Sequence, residues 1–197
     1  LRMDGTIDLI SIGPSQSDYL QAVKGHGHGD YRVPVFAPSS IAEAVALVAD
    51  AFEVAERYRT PVILLADGII GQAMEPVRPI YRCPERVPAF WAVTGADGRP
   101  PRVVKSLHLR NEDLEAHNDA LQAKFRTIAA HEVRCAGEAL EDAEVVIVAY
   151  GTAARVARSA VADAQAHGLR VGLFRPISLW PFPAEALAVA AAGARAI

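Results

Sequence analysis

Cysteine is scarce: Cys83 and Cys135 stand far apart in 197 residues. That spacing makes neither a disulfide framework nor a metal knuckle. Two unpaired thiols in a reducing cytoplasm is the simplest reading, and an iron–sulfur cluster, which needs about four protein ligands, cannot be held by this chain alone. Long apolar runs are missing as well. None approaches the roughly 20 residues that span a bilayer, and the opening Leu1-Arg2-Met3-Asp4 does not read as a signal peptide. Charge of one sign is also lacking. With 20 basic and 23 acidic residues the net charge is -3, which gives no electrostatic case for a nucleic-acid or anionic-membrane partner. Three catalytic strings are absent: the phosphate loop, the dinucleotide fingerprint and the nucleophile elbow. Gly25, Gly27 and Gly29 have the wrong spacing for the second of these.

What is present is ordinary globular material, 51% hydrophobic and 22% charged. Val33 to Ala37 is a short apolar run, and a helix is expected after it. Ser40 and Glu43 have capping-box spacing. Ile41, Ala44, Val45, Val48, Phe52 and Ala55 then recur as one apolar stripe. Arg57, Tyr58 and Arg59 suit the negative end of that helix, and Thr60-Pro61 breaks it. Val62 to Ala66 is apolar throughout, as a strand covered on both faces requires. Strand, helix and strand make a crossover unit.

Residues 78–102 are rich in proline and glycine and read as a connector. A lone amphipathic helix is expected over roughly Glu112 to Ala130, with Leu114, Asn118, Leu121, Phe125 and Ile128 on one face. A second α/β unit follows. Val145 to Ala149 is its first strand, and the next helix carries Val156, Ala160, Val161 and Ala164. Gly168 closes that helix as a left-handed cap. Val171 to Phe174 is the next strand, and residues 175–183 lead into an Ala-rich helix.

The densest polar stretch runs from Pro14 to Arg32. In it His26 and His28 sit two apart, on one face if the backbone is extended. A metal site there would need more ligands than Asp30 supplies. A Gly-rich loop that binds small anions and a merely solvated loop are the other readings. Elsewhere Ser39 and Ser40 read as helix caps, Asp67-Gly68 as a turn, Glu75 as a solvated charge and Trp180 as packing. No catalytic group and no metal ligand can be named from the residues themselves.

Four strings make the polar loop specific. They are Pro14-Ser15-Gln16-Ser17-Asp18-Tyr19-Leu20-Gln21-Ala22 with Lys24 to Arg32, then Ala37 to Ser40 with Tyr58 to Gly68, then Gly71 to Val77, then Gly172 to Pro183. In this order they resemble the alpha subunit of thiamine-diphosphate-dependent 2-oxoacid:ferredoxin oxidoreductases, most of all the branched-chain (ketoisovalerate) type. The resemblance implies an α/β chain of two parallel-sheet modules. Residues 1–78 would be a partial pyrimidine-binding domain and 79–135 a connector plus helix. Residues 136–197 would be a truncated transketolase C-terminal-like domain.

It also implies oxidative decarboxylation of a 2-oxoacid with coenzyme A. Thiamine diphosphate and Mg2+ would sit mainly on a beta subunit, and an iron–sulfur cluster on a partner chain. Beta, gamma and delta subunits and ferredoxin are the implied partners. Ser15, Gln16, Ser17, Asp18 and His28 would line the substrate or cofactor entrance. The family's Gly-rich segment, with the glutamate that activates thiamine, is not matched by Leu1 to Ile12, so that glutamate falls on no residue here. A non-catalytic α/β interaction module that has lost the half-site is the alternative.

Overall fold

The computed structural model describes residues 18–25, 27–29, 31–78 and 89–197. The chain order is α1 (Tyr19–Lys24), β1 (Val35–Phe36), α2 (Ile41–Tyr58), β2 (Ile63–Leu64), α3 (Gly68–Gln72), α4 (Asn111–His131), β3 (Cys135–Glu138), β4 (Val145–Val148), α5 (Gly151–Ala166), β5 (Val171–Pro176), β6 (Ser178–Trp180) and α6 (Ala184–Ala191). Two three-stranded sheets result, with strand orders β2-β1-β6 and β3-β5-β4. Each has one parallel pair, β1 with β2 and β4 with β5, as expected of crossover units. Each also carries an antiparallel strand that the sequence did not announce, β6 against β1 and β3 against β5.

The first sheet shows the two-residue period of a strand. Val35 points into a cluster with Ala22, Val33 and Leu179 on the α1 side. Phe36, its neighbour, points into the cluster with Leu47 and Val54 of α2. Ser40 caps α2 as expected, its Oγ accepting from the Glu43 N–H at 3.1 Å. The expected apolar stripe is on the wrong face. Leu47 and Val54 are the buried side chains of α2, whereas Val45, Val48 and Phe52 are exposed, Phe52 at 68%. The helix carries two apolar stripes, and the sheet takes the one through Leu47. The β2 strand is half-buried rather than sealed, because it is the edge of its sheet.

In the second unit α5 buries Ala154, Ala157 and Val161 against Leu173 of β5, and Val156 is exposed. Gly168 closes this helix at φ +79°, as the sequence suggested. On the other face Val146, Phe174 and Ala143 pack beneath α6. Gly172 is required by a close approach: a Cβ there would stand 2.5 Å from the Ala139 carbonyl oxygen. The α4 face is right in its second half only. Phe125 and Ile128 are buried, and Leu114 is exposed. Phe125 meets Trp180 edge-on at 6.2 Å, so Trp180 packs as expected.

The chain passes from one sheet to the other at Pro176-Ile177. Ile177 accepts from the Ala37 N–H at 2.8 Å and donates to the Arg134 carbonyl at 2.9 Å. Ser178, fully buried, donates to the Pro181 carbonyl and accepts from the Arg134 N–H. Among the described residues no helix is long and apolar enough to cross a membrane.

Candidate functional site

The carboxyl ends of β1 and β2 face the second unit, and three charged or polar fastenings join the units there. Ligands of open α/β sheets collect at this kind of edge. Asp67 follows β2 and is only 7% exposed. Its Oδ1 accepts from the Ile69 and Ile70 N–H groups, both at 3.1 Å, capping α3. The same oxygen accepts from the Thr152 hydroxyl at 2.6 Å, and Oδ2 accepts from the Thr152 N–H at 3.0 Å. One carboxylate therefore satisfies the free donors of two helix starts, one in each unit. The turn expected at Asp67-Gly68 is a joint between units.

Glu43 does a second joining job. Its carboxylate takes the Arg175 guanidinium in a fork, at 2.8 and 3.0 Å, and accepts from the Ser39 N–H at 2.7 Å and hydroxyl at 3.1 Å. The capping box is thus shifted: its return arm reaches Ser39 rather than Ser40. Arg175 is 6% exposed. Burial alone would raise the Glu43 carboxyl, but the bonds from Arg175 and Ser39 outweigh it and hold the carboxyl below its ordinary value. Glu75 is not the solvated charge the sequence suggested. It pairs with Arg155 of α5 and accepts from the Ile41 N–H at 3.0 Å, and these partners lower its pKa. On the α4 side Arg134 pairs with Asp50 at 2.6 Å and lies 4.6 Å over the Phe36 ring.

The polar stretch after Pro14 reaches this junction at Asp18 and Tyr19. The Tyr19 and Tyr150 rings meet at a tilt of 37° with 5.9 Å between centroids, Tyr150 being the residue that leads from β4 into α5. Burial pushes the Tyr150 phenol up to about 12, and Tyr19, Asp67 and Asp18 add to the shift. Asp18 is therefore in the electrostatic reach of Tyr150. His28 is exposed and lies beyond the other end of α1. Ser15, Gln16 and Ser17 lie outside the described residues, as do His26, Asp30 and Cys83; Cys135 is an exposed free thiol in β3. Among the described residues no three His, Cys, Asp or Glu side chains gather as metal ligands.

Tyr150, Thr152 and the pairing of Glu43 with Arg175 were missed from sequence. One signal was available. Arg175 ends an apolar strand, where a charge needs a partner.

Together these features define an α/β chain whose two units are fastened at the carboxyl edge of the first sheet. Residues 7–93 match the family described as pyruvate flavodoxin/ferredoxin oxidoreductase, thiamine diphosphate-binding. Residues 143–197 match pyruvate:ferredoxin oxidoreductase core domain II. The chain belongs to the 2-oxoacid:ferredoxin oxidoreductase family.

It is 48% identical over 186 residues to the ketoisovalerate oxidoreductase subunit VorB of Methanothermobacter marburgensis, covering 94% of this chain and 53% of that protein. It is 35% identical to the 2-oxoglutarate synthase subunit KorA of Archaeoglobus fulgidus, over 90% of this chain and 52% of that one. The chain thus spans about half the length of these relatives. A 2-oxoglutarate:ferredoxin oxidoreductase from Magnetococcus marinus, solved with 2-oxoglutarate, coenzyme A and succinyl-CoA bound, superposes with a TM-score of 0.70 at 20% identity. That superposition covers 99% of this chain and 39% of that one, and it concerns the fold.

Proposed function

We propose that the chain serves as the alpha-side part of a thiamine-diphosphate-dependent 2-oxoacid:ferredoxin oxidoreductase of the branched-chain type. Residues 1–78 would act as a partial pyrimidine-binding domain, 79–135 as a connector with helix, and 136–197 as a transketolase C-terminal-like domain. The reaction joins a 2-oxoacid and coenzyme A. The bond between the carboxylate and the keto carbon breaks and releases CO2, the thioester forms, two electrons pass to ferredoxin and one proton is released. Thiamine diphosphate, when bound, supplies the electron sink for that bond cleavage.

One observation carries the reading. The strings that resemble the family are scattered from Pro14 to Pro183, yet their described parts converge on one junction. Tyr19 reaches Tyr150, Asp67 reaches Thr152, Glu75 reaches Arg155, and Ser39 with Glu43 reaches Arg175. A junction that fixes the entrance loop against the second unit is what a shared active site needs from its alpha side. The described residues bring together no metal-ligand set for a magnesium diphosphate. The reading places it and the iron–sulfur cluster on beta-side chains, with gamma and delta subunits and ferredoxin as further partners in the cytoplasm. Ser15, Gln16, Ser17, Asp18 and His28 would face the entrance.

The test is to co-express the protein with the cluster-bearing beta subunit and follow coenzyme-A-dependent ferredoxin reduction. Turnover with 3-methyl-2-oxobutanoate above that with 2-oxoglutarate supports the proposal. No turnover in a complex shown to hold both chains overturns it in favour of a non-catalytic module. In an active complex Asp18→Asn is expected to raise KM for the oxoacid.

A further inference from the structure

At the opposite end of the first sheet, where β1 and β2 begin, lies a cavity of about 510 Å³. It has no place in the junction just described. Pro61 and Ile63 form its floor, and Leu121 and Phe125 of α4 form its wall, so most of its surface is apolar. Two cations enter it, Arg32 and Lys124, and no carboxylate side chain is among the described residues that line it. Among the described residues neither cation forms an ion pair. The Lys124 ammonium donates to the Arg59 carbonyl at 3.4 Å, which leaves two of its three donors for another acceptor. Arg32 donates to its neighbour's carbonyl, that of Tyr31, at 3.3 Å. Burial lowers the Lys124 pKa, and the nearby Arg59 charge lowers it further. An anion in the cavity would offset the Arg59 repulsion and favour the charged form of Lys124.

We propose that this cavity binds a medium-chain carboxylate, with its apolar tail on the Leu121 and Phe125 wall and its head on Lys124 and Arg32. Charge complementarity selects the class. An apolar chamber with cations and no anion fits a molecule with an apolar body and one negative end. Its volume falls within the range of small-molecule pockets, roughly 300 to 1,000 Å³. A phosphate is disfavoured, because among the described lining residues none begins a helix. The site is separate from the proposed chemistry, and binding here stands or falls on its own.

The probe is decanoate, kept below its micelle concentration and titrated calorimetrically into the protein. Wild-type protein is expected to bind decanoate and to lose about fourfold in affinity for each methylene removed. Decanol, the neutral counterpart, is expected to bind at least about tenfold more weakly, as loss of a charge-assisted bond implies. Lys124→Gln is expected to reduce that preference severalfold, Arg32 remaining, and Lys105→Gln, an exposed control, to keep it. Leu121→Trp fills the chamber and should abolish binding; if that variant does not fold, Lys124→Gln and the alcohol comparison decide. Equal affinity for decanol and decanoate overturns the proposal. So does unchanged decanoate binding in Lys124→Gln, or no binding to folded wild-type protein.

Discussion

The two three-stranded sheets are built in opposite ways. The second comes from one continuous stretch, Cys135 to Pro176, with strands of four to six residues. Its backbone ladder is long enough to define it locally. The first sheet takes β1 and β2 from the early chain and β6 from Ser178–Trp180, with strands of two or three residues. So short a ladder fixes little by itself. Side chains do the rest, and many of them are ionic. The difference shows two ways of holding a sheet, one by a main-chain ladder and one by side chains, apolar on both faces and with the Glu43–Arg175 pair at its margin.

The largest effect expected from breaking that contrast is at Glu43. Glu43→Leu leaves the Arg175 guanidinium buried and unpaired, which costs about 3–5 kcal/mol. Adding Arg175→Met should recover most of the loss, since an apolar pair of similar volume replaces a buried ion pair at little cost. A urea-unfolding double-mutant cycle measures both, and full additivity would show that the pair is not coupled. Acid sharpens the same point. The Glu43 carboxyl is held below its ordinary 4.5 in the folded chain. Its stabilisation is complete above that value and is lost as pH falls through the lower, folded one. Glu43→Gln should flatten this acid limb.

A smaller effect is expected at high pH. Tyr150 is raised to about 12, against 10.0 for a free phenol. Its contribution is present below 10.0 and is lost as pH rises towards 12. Spectroscopic titration of tyrosinate alongside unfolding should show that limb in the wild type, and Tyr150→Phe should remove it. The smallest effect belongs to the outer face of α2. Phe52→Ser is expected to change stability by about 0.5 kcal/mol or less, because the ring is 68% exposed. A loss as large as that of a core truncation would mean the first sheet relies on both faces of the helix.

Local features were legible in sequence. The Ser40 cap, the break after Tyr58, the helix from Gly151 and the Gly168 stop depend on neighbours within one turn, and the structure bears them out. Legibility failed where the deciding partner is distant. The α2 stripe was misread because the helix offers two apolar faces, and only the sheet chooses between them. The Glu43 to Arg175 fork spans 132 positions, and Asp67 to Thr152 spans 85. No spacing rule covers such distances. The β6 strand was missed because three residues beside prolines carry no period. At the candidate site Asp18 was named from resemblance, whereas its neighbour Tyr150 looked like part of a turn.

The origin of β6 also sets an order of events during synthesis. Val35 and Phe36 leave the ribosome roughly 140 residues before the strand that will lie against them. At about 5–20 residues per second, that interval lasts roughly ten to thirty seconds. Throughout it, one margin of β1 presents unpaired N–H and C=O groups, the kind of edge that recruits foreign strands. That margin of β1 can be covered only after Ser178 to Trp180 have been translated.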